Sequence, residues 1–229
     1  MEIHKLKPIH NLRGFLKEYS IIVLSVLTAL GLEQAVVWAH HRSQVDEAIH
    51  RMRAESIENR ATLTFSMANM RAQVKAVDAR LDILGNCTSP VADGKLAAVT
   101  PSTTLLPSDT AWLGVRDSAL LPLMPKGIAD NYRKLNTAYS LMVPDLEDVI
   151  GKTDDARAAV DLVRRGVRDP QACVDAAHSL LRMRASLKTL WRQLVFYQSG
   201  NEQVLRGERL GVGTAVRAVR DASASLKEH

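Results

Sequence analysis

Sequence motifs for catalysis and cofactor binding are missing from this chain. It contains no GxSxG nucleophile elbow, no HExxH zinc motif, no P-loop, no GxGxxG turn and no CxxC pair. Paired acids stand at predicted helix ends, where capping accounts for them. We therefore predict a non-enzyme with no catalytic residue, no metal site and no cofactor. A hydrolase whose site is assembled from dispersed residues is the enzymatic alternative.

A strong charge excess is also missing. The chain has 30 Lys and Arg against 25 Asp and Glu, a formal net charge of +5. These charges alternate along the sequence, which is typical of solvated helix surfaces rather than of a nucleic-acid patch. The sequence predicts no nucleic-acid partner, and no small-molecule ligand is evident in it.

One stretch does lack charge altogether, from residue 20 to residue 32. Tyr19 and Trp38 bracket it, roughly 28 Å apart along a helix, close to the thickness of a bilayer core. Aromatic rings at both ends are typical of membrane interfaces. We predict a transmembrane helix over 18–39 with the lipid bilayer as its partner. A cleaved signal peptide and a buried soluble helix are the alternatives.

Two polar residues, Glu33 and Gln34, lie inside the outer end of this predicted span. Ionisable residues in a span either reach the interface or bond a partner helix. Gly31 and Ala35 form a small-xxx-small step, which permits close helix approach. Both interpretations of Glu33 stay open from sequence.

The orientation of the span follows from the flanking charges. The residues before it carry Lys5, Lys7, Arg13 and Lys17, and those just after it carry three Arg. This small bias favours a cytoplasmic N-terminus. We expect a single-pass protein of the bacterial inner membrane with a periplasmic C-terminal domain.

The remaining chain is predicted to be all-α. Few aromatics and an abundance of Ala, Leu, Val and Arg favour helices. We expect a transmembrane helix continuing into a long amphipathic, coiled-coil-like helix that packs with a distal helical bundle. The predicted segments are a basic tail (1–17), the span (18–39), a long helix or stalk (40–85), a loop (86–108), a bundle (109–207) and a weak helical tail (208–229).

Prolines and capping residues indicate where the helices of the bundle begin and end. A short helix should carry Trp112, and a second should start near Pro125 and be kinked or divided at Pro144. Asp169-Pro170 marks the start of a third helix. The triplet 199–201 is a possible interruption of that helix.

The long helix carries an apolar seam with heptad spacing and one stutter. Its members are Val45, Ile49, Met52, Ser56, Asn59, Leu63, Met67, Met70, Val74, Val77, Leu81 and Leu84. Packing on later helices of the same chain is one reading of this seam. A parallel dimer with Ile49, Met52 and Asn59 on the contact is the other, and we take it as a prediction because an uncovered stripe of this length is unusual in a monomer.

The two cysteines, Cys87 and Cys173, each lie at the end of a predicted helix. A periplasmic location favours a disulfide between them over two buried thiols. Such a bond would bring the far end of the first helix to the start of the third.

Four segments of the N-terminal part carry a resemblance to known sequences. They are Phe15-Leu16-Lys17-Glu18-Tyr19, Leu32-Glu33-Gln34-Ala35, His41-Arg42, and Arg53-Ala54-Glu55 through Asn59-Arg60. They resemble an uncharacterised bacterial family of small single-pass membrane proteins. Its members carry an anchor of the form EYLIIVLGVLIALALEQ or NNW, followed by a long charged helix. The resemblance implies a membrane anchor and brings no activity with it.

As a function, the sequence predicts that of a membrane-anchored, non-enzymatic envelope protein whose helical domain serves protein interaction or sensing. The expected partners are a second copy or another membrane protein. The alternative is an adaptor with the same anchor whose helical domain faces the cytoplasm.

Overall fold

The computed structural model describes residues 12–85, 95–101, 103–166 and 169–225. These residues form helices α1 (Leu12–Leu84), α2 (Thr110–Arg116), α3 (Lys126–Arg164), α4 (Pro170–Leu205) and α5 (Val212–Ser225), with a 3-10 turn at Leu121–Leu123. No strand occurs among them. The predicted all-α fold, with a long N-terminal helix packed against later helices, is confirmed.

The chain divides into two compact units, residues 1–47 and residues 48–229. Helix α1 is unbroken from Leu12 to Leu84, so the boundary predicted at residue 40 does not interrupt the helix. The part of α1 that begins at Ala48 belongs to the same unit as α3 and α4. It is therefore a member of the bundle, in agreement with the predicted packing of the long helix or stalk against the later helices.

Helix α4 runs antiparallel to the 48–84 part of α1. From one contact between the two helices to the next, the residue number rises on α1 and falls on α4. The contacts join Arg53 to Leu205, Arg60 to Glu202, Arg71 to Trp191, Asp78 to Arg184 and Leu84 to Cys173. Helix α3 is antiparallel to α4 as well, because Asp145 contacts Gln193 and Asp148 contacts Ser186. Three long helices thus enclose one core.

That core consists of large side chains that are almost wholly removed from solvent. Each helix contributes at heptad-like spacing, and full burial of one such side chain stabilises the fold by roughly 1.5–3 kcal/mol. The members are Leu63, Met70 and Val77 of α1, Met142, Val149 and Val160 of α3, and Leu180, Leu187, Leu190, Trp191 and Leu194 of α4.

Two predicted helix interruptions are absent. Pro144 lies inside α3 without dividing it. Proline removes one helical hydrogen bond, and the Asp145 and Asp148 contacts to α4 hold the helix directly after it. Gly200 lies inside α4, where a Cβ would stand 3.0 Å from Leu210 Cδ2 and 3.1 Å from Leu135 Cδ2. The glycine there permits close packing and does not break the helix.

An extended segment, the strap (residues 95–101 and 103–109), lies along α1 without regular secondary structure. Polar side chains of α1 bind its backbone. Arg80 Nε donates to the Ala97 carbonyl at 2.9 Å, and Ser66 Oγ donates to the Leu105 carbonyl at 2.7 Å. Asn59 Nδ2 donates to the Ser108 carbonyl, and Asn59 Oδ1 accepts from the Ser108 N–H, both at 2.7 Å.

The strap runs antiparallel to α1 because its residue numbers rise as those of its α1 partners fall. Asn69 contacts Thr103 at 2.8 Å, and Asn59 contacts Ser108. Ten residues of helix rise roughly 15 Å, and five residues of extended chain cover at most about 17 Å. The chain from Thr103 to Ser108 is therefore close to fully extended.

Candidate functional sites

The first candidate site is the apolar part of α1. Its large side chains between Phe15 and Trp38 are solvent-exposed, most of them by 42 to 68%. Among the described residues, α1 is the one helix long and apolar enough to cross a membrane by length and composition, and none of its most apolar stretch is buried. The predicted span thus lies on a helix of suitable length.

Aromatic rings stand at both ends of this stretch. Phe15 and Tyr19 stack with ring centroids 6.1 Å apart, and the Arg42 guanidinium carbon lies 5.4 Å from the Trp38 ring centroid. Rings beside cationic groups suit the boundary between hydrocarbon and headgroups. The predicted interface residues Tyr19 and Trp38 are thus solvent-exposed on the helix surface.

The polar residues within the stretch are mostly satisfied by the helix itself. Ser25 Oγ donates to the Ile21 carbonyl at 2.7 Å, and Thr28 Oγ1 donates to the Leu24 carbonyl at 2.8 Å. Glu33 and Gln34 are exposed, and neither has an ion pair or hydrogen bond within the described part of the chain. Snorkelling and a partner helix both stay open for Glu33.

The second feature is the cysteine at the start of α4. Cys173 is disulfide-bonded, is 8% exposed, and its Sγ lies 4.0 Å from the Leu84 carbonyl oxygen. Cys87 is the other cysteine in the sequence, and it lies outside the described residues. The end of α1 therefore meets the start of α4, as the predicted pairing requires, and the bond to Cys87 itself stays a prediction.

The predicted dimer contact is occupied by the chain's own elements. Met52 is 1% exposed and Asn59 is 4% exposed, and Ile49 is half-buried. Asn59 uses its amide on the strap, as described above. Met52 and Asn59 are therefore covered by the chain itself and are not available for a contact between two copies, whereas the dimer and the place of Ile49 in it stay predictions.

A small pocket lies where α1, the strap, α2, α3 and α4 meet. It has room for roughly one water-sized group. Its walls combine acidic, amide, hydroxyl and aromatic side chains. They are Met52, Glu55, Ser56, Asn59, Ser108, Asp109, Trp112, Tyr132, Leu135, Asn136 and Tyr197.

Hydrogen bonds fix the geometry of this pocket. Glu55 Oε2 accepts the Ala111 N–H at 2.6 Å, and Asp109 Oδ2 accepts from Asn136 Nδ2 at 2.8 Å. The hydroxyls of Ser56 and Tyr132 are 3.3 Å apart. Hydrogen bonds therefore hold both acids in defined positions.

The electrostatics of the pocket disfavour its negative charges. Burial is the main cause that raises the pKa of Glu55 above its usual value, and the charges of Asp109 and Glu58 add to it, although the hydrogen bonds from Ala111 and Ser108 oppose the rise. Burial also raises the pKa of Tyr132 and of Tyr197. Burial therefore favours the uncharged forms of Glu55, Tyr132 and Tyr197.

Sequence reasoning did not find this pocket. Its acids and rings are far apart in the sequence and belong to five elements, and no motif links them. Among the described residues no group of three His, Cys, Asp or Glu is placed to hold a metal ion.

No protein-family model, curated protein or solved structure matches this chain. The resemblance to the bacterial anchor family therefore stays a prediction.

Proposed function

We propose that this chain is a non-enzymatic, single-pass protein of the bacterial inner membrane whose helical domain lies in the periplasm and serves protein interaction or sensing. The observation that carries the proposal is the exposed apolar stretch of α1. In water such a continuous apolar surface would be unfavourable, and in a bilayer it is matched by hydrocarbon.

The internal bonding of Ser25 and Thr28 supports a lipid environment. Backbone and side-chain polar groups in hydrocarbon must find partners within the protein, and both hydroxyls do so on their own helix. The aromatic rings of Tyr19 and Trp38 suit the two interfaces.

The disulfide at Cys173 supports the periplasmic side. Disulfides persist in oxidising compartments and are rare in the cytosol. The charge bias around the span favours the same orientation. An adaptor with a cytoplasmic helical domain would carry the same bond in a reducing environment.

Two experiments test the anchor and its orientation. Carbonate extraction should leave the full-length chain in the membrane pellet, and release of a soluble chain that starts near residue 40 would indicate a cleaved signal instead. Alkaline phosphatase fused after His229 should be active, and a fluorescent protein at the same position should be dark. The opposite pattern would establish the cytoplasmic adaptor. A Leu27→Arg chain with both fusions is the matched control, because a charge at mid-span disfavours insertion.

An interaction role has its own surface on α1. Ile57 and Phe65 are each 53% exposed and lie on the side of the helix away from the buried Leu63. Two large exposed apolar residues on one face are a reasonable contact for another membrane protein or a second copy. A photo-crosslinking amino acid at residue 65 should yield a discrete adduct in membranes, and one at Asp154, an exposed position on α3, should not. Equal labelling at both positions would remove this face as the contact.

A further inference from the structure

Helix α1 carries a second apolar face, on the side of the helix that points away from the bundle core. Two residues of α-helix turn through about 200°, so a position two places after a buried residue lies on the opposite side. Phe65 follows the buried Leu63 in this way, and Ala72 follows the buried Met70. We call this face the outer stripe. Its members are Ala54, Ile57, Ala61, Phe65, Ala68, Ala72, Ala76, Ala79 and Ile83.

The outer stripe is open to solvent along its length. Ile57 and Phe65 are each 53% exposed, and Ile83 is 39% exposed. Ala76 is half-buried, and the other alanines of the stripe are exposed. A helix that packs by one face normally carries polar and charged residues on the opposite face. An uncharged line over about eight helical turns therefore has the character of a contact surface rather than of an ordinary solvated one.

The stripe lies between the two elements that cover α1 from its sides. On one flank, Arg60 and Asp78 each form an ion pair with α4 at 2.6 Å. On the other flank, Asn69 and Arg80 bind the strap through hydrogen bonds of 2.8 and 2.9 Å. These contacts hold α4 and the strap on α1 without using any residue of the outer stripe, so the stripe stays accessible while the bundle is intact.

The spacing of the stripe is regular. Steps of three, four and four residues separate its members and repeat every 11 residues. Each of the three repeats holds one large residue and two alanines, and the large residues are Ile57, Phe65 and Ile83. An 11-residue repeat corresponds to about 3.67 residues per turn, close to the 3.6 of a straight helix. The stripe therefore stays on one side of a nearly straight helix over its whole length.

This pattern fits a second copy of the same chain. When two helices pack side by side, a large side chain enters a space formed by residues at its own level and one turn away on the facing helix. The stripe residues one turn from Phe65 are Ala61 and Ala68, and those from Ile57 are Ala54 and Ala61. Two identical stripes in register thus offer alanines where each large side chain needs room. An unrelated partner would need the same spacing, whereas a second copy has it by symmetry.

The size of the stripe matches a dimer that forms within a membrane. From Ala54 to Ile83 the helix rises roughly 44 Å, and a helix surface is about 10–12 Å wide, which gives roughly 440–530 Å² on each copy. The pair would bury about 1,000 Å², the lower limit for a specific interface. Confinement to one membrane raises the effective concentration of such a weak pair. Because α1 also carries the span, two copies with the same orientation present their stripes in the same direction.

We propose that the outer stripe of α1 is the contact between two copies of this chain, with the two α1 helices parallel and in register. Met52 and Asn59, on the core side of α1, take no part in it. The proposal names the partner for the interaction role, and it rests on the proposed membrane anchor for the direction of the two helices.

Disulfide cross-linking of the full-length chain in isolated membranes tests this contact. Ala61→Cys and Ala68→Cys place an added thiol on the stripe, and two differently tagged versions of each variant are expressed together. Brief oxidation with copper phenanthroline should give a dimer that carries both tags. Its yield should be at least about tenfold above that of Ala158→Cys, because a disulfide requires Cα atoms within about 7 Å of each other. Ala158 is the matched control, an exposed alanine on α3. Yields at residues 61 and 68 no higher than at residue 158 would overturn the proposal.

Mixed pairs test the direction of the helices. Residues 61 and 79 are 18 positions apart, roughly 27 Å along a helix. A parallel pair in register therefore links 61 to 61 and 79 to 79, and an Ala61→Cys chain mixed with an Ala79→Cys chain should give no product with both tags. A mixed 61–79 product stronger than the two same-residue products would indicate antiparallel helices and overturn the proposed register.

Charge substitutions on the stripe provide a second readout. In the Ala61→Cys chain, Ala68→Glu and Ala68→Lys should each lower the dimer yield about tenfold, because like charges then face each other. Coexpression of the Glu and Lys variants should restore most of the yield, and Ala158→Glu should leave it unchanged. A mixed pair as weak as the Glu pair would overturn the facing of residue 68 on residue 68. Circular dichroism of each purified variant confirms that the helices are intact.

Failure here is separate from failure of the proposed function. In isolated membranes the oxidant reaches both faces, so cross-linking does not depend on the side on which the helical domain lies. Absence of the dimer together with an active alkaline phosphatase fusion would remove only the second copy as partner. A residue-65 photo-adduct that contains a different protein, with no cysteine cross-link, would likewise overturn this proposal and leave the interaction role in place.

Discussion

Replacing Asn59 tests how the strap is held on α1. Asn59→Asp is nearly isosteric and keeps the Oδ1 acceptor for the Ser108 N–H, but it replaces the Nδ2 donor with an oxygen opposite the Ser108 carbonyl. One hydrogen bond is lost and an oxygen–oxygen repulsion replaces it in a site where the side chain is 4% exposed. A lost hydrogen bond costs about 1 kcal/mol, and stranding its buried partner adds about 1–2 kcal/mol. We expect a loss of about 2–3 kcal/mol in the free energy of unfolding at neutral pH.

The cost should fall with pH. The new carboxyl sits near Glu55 and Asp109, so its folded pKa will be raised above that of the unfolded chain, and its protonated form can donate to the Ser108 carbonyl again. The penalty is therefore present above the raised pKa and shrinks as pH falls through it. Urea unfolding of the full chain in mild detergent, followed by far-UV circular dichroism, measures both effects.

Asn69→Asp is the matched control. Asn69 also reaches the strap, through one exposed hydrogen bond to Thr103 at 2.8 Å, and its replacement should cost about 0.5 kcal/mol. Equal costs at Asn59 and Asn69 would refute the reasoning. If the cost of the Asn59 replacement depended on protein concentration, the result would support a contact of Asn59 between two copies.

Three further predictions concern stability. Glu55→Gln should stabilise the chain at neutral pH and give no gain at acid pH. The pKa of Glu55 is raised in the folded state, so the stability that this group contributes is present below its unfolded pKa and is lost as pH rises through its folded pKa. Urea midpoints across the pH range measure this, and a pH-independent gain would contradict it. Cys173→Ser should cost about 4–5 kcal/mol if the bond closes the long loop to Cys87, and thiol labelling of denatured, unreduced parent chain should find no free thiol. Gly200→Leu should cost about 1–3 kcal/mol by overpacking against Leu210; a chain as stable as the parent in urea would show that Leu210 moves freely.

Local signals in the sequence were sufficient for the helices. Asp169 accepts the Gln171 N–H at 2.9 Å as the N-cap of α4, and Gly166 follows α3 with a φ of 78°. These starts and stops depend on one or two residues each, so the sequence alone reveals them. Pro144 does not divide α3, because packing against α4 outweighs the loss of one helical hydrogen bond.

The pocket could not be predicted from the sequence, for a different reason. Glu55, Asp109, Tyr132 and Tyr197 come together only after the strap has turned back along α1 and α4 has run antiparallel to it. Helical periodicity identifies which face of α1 is buried, but it carries no information on what covers that face. A hydrogen-bonded backbone and a second helix give the same pattern of inward positions.

The polar residues of the seam do distinguish an extended chain from a second helix, because the two kinds of neighbour need different hydrogen bonds from α1. A neighbouring helix has its backbone groups bonded internally and presents mostly apolar side chains, so Asn59 and Ser66 would be poor inward residues against it. An extended chain leaves N–H and C=O groups free at each residue, and these need partners. Apolar contact alone would let such a chain slide by two residues with its side-chain alternation intact. The two hydrogen bonds from Asn59 to Ser108 and the two between Ser66 and Leu105 exclude that slip. Asn59 therefore fixes a register, as buried asparagines do in coiled coils, and its partner is the strap of the same chain.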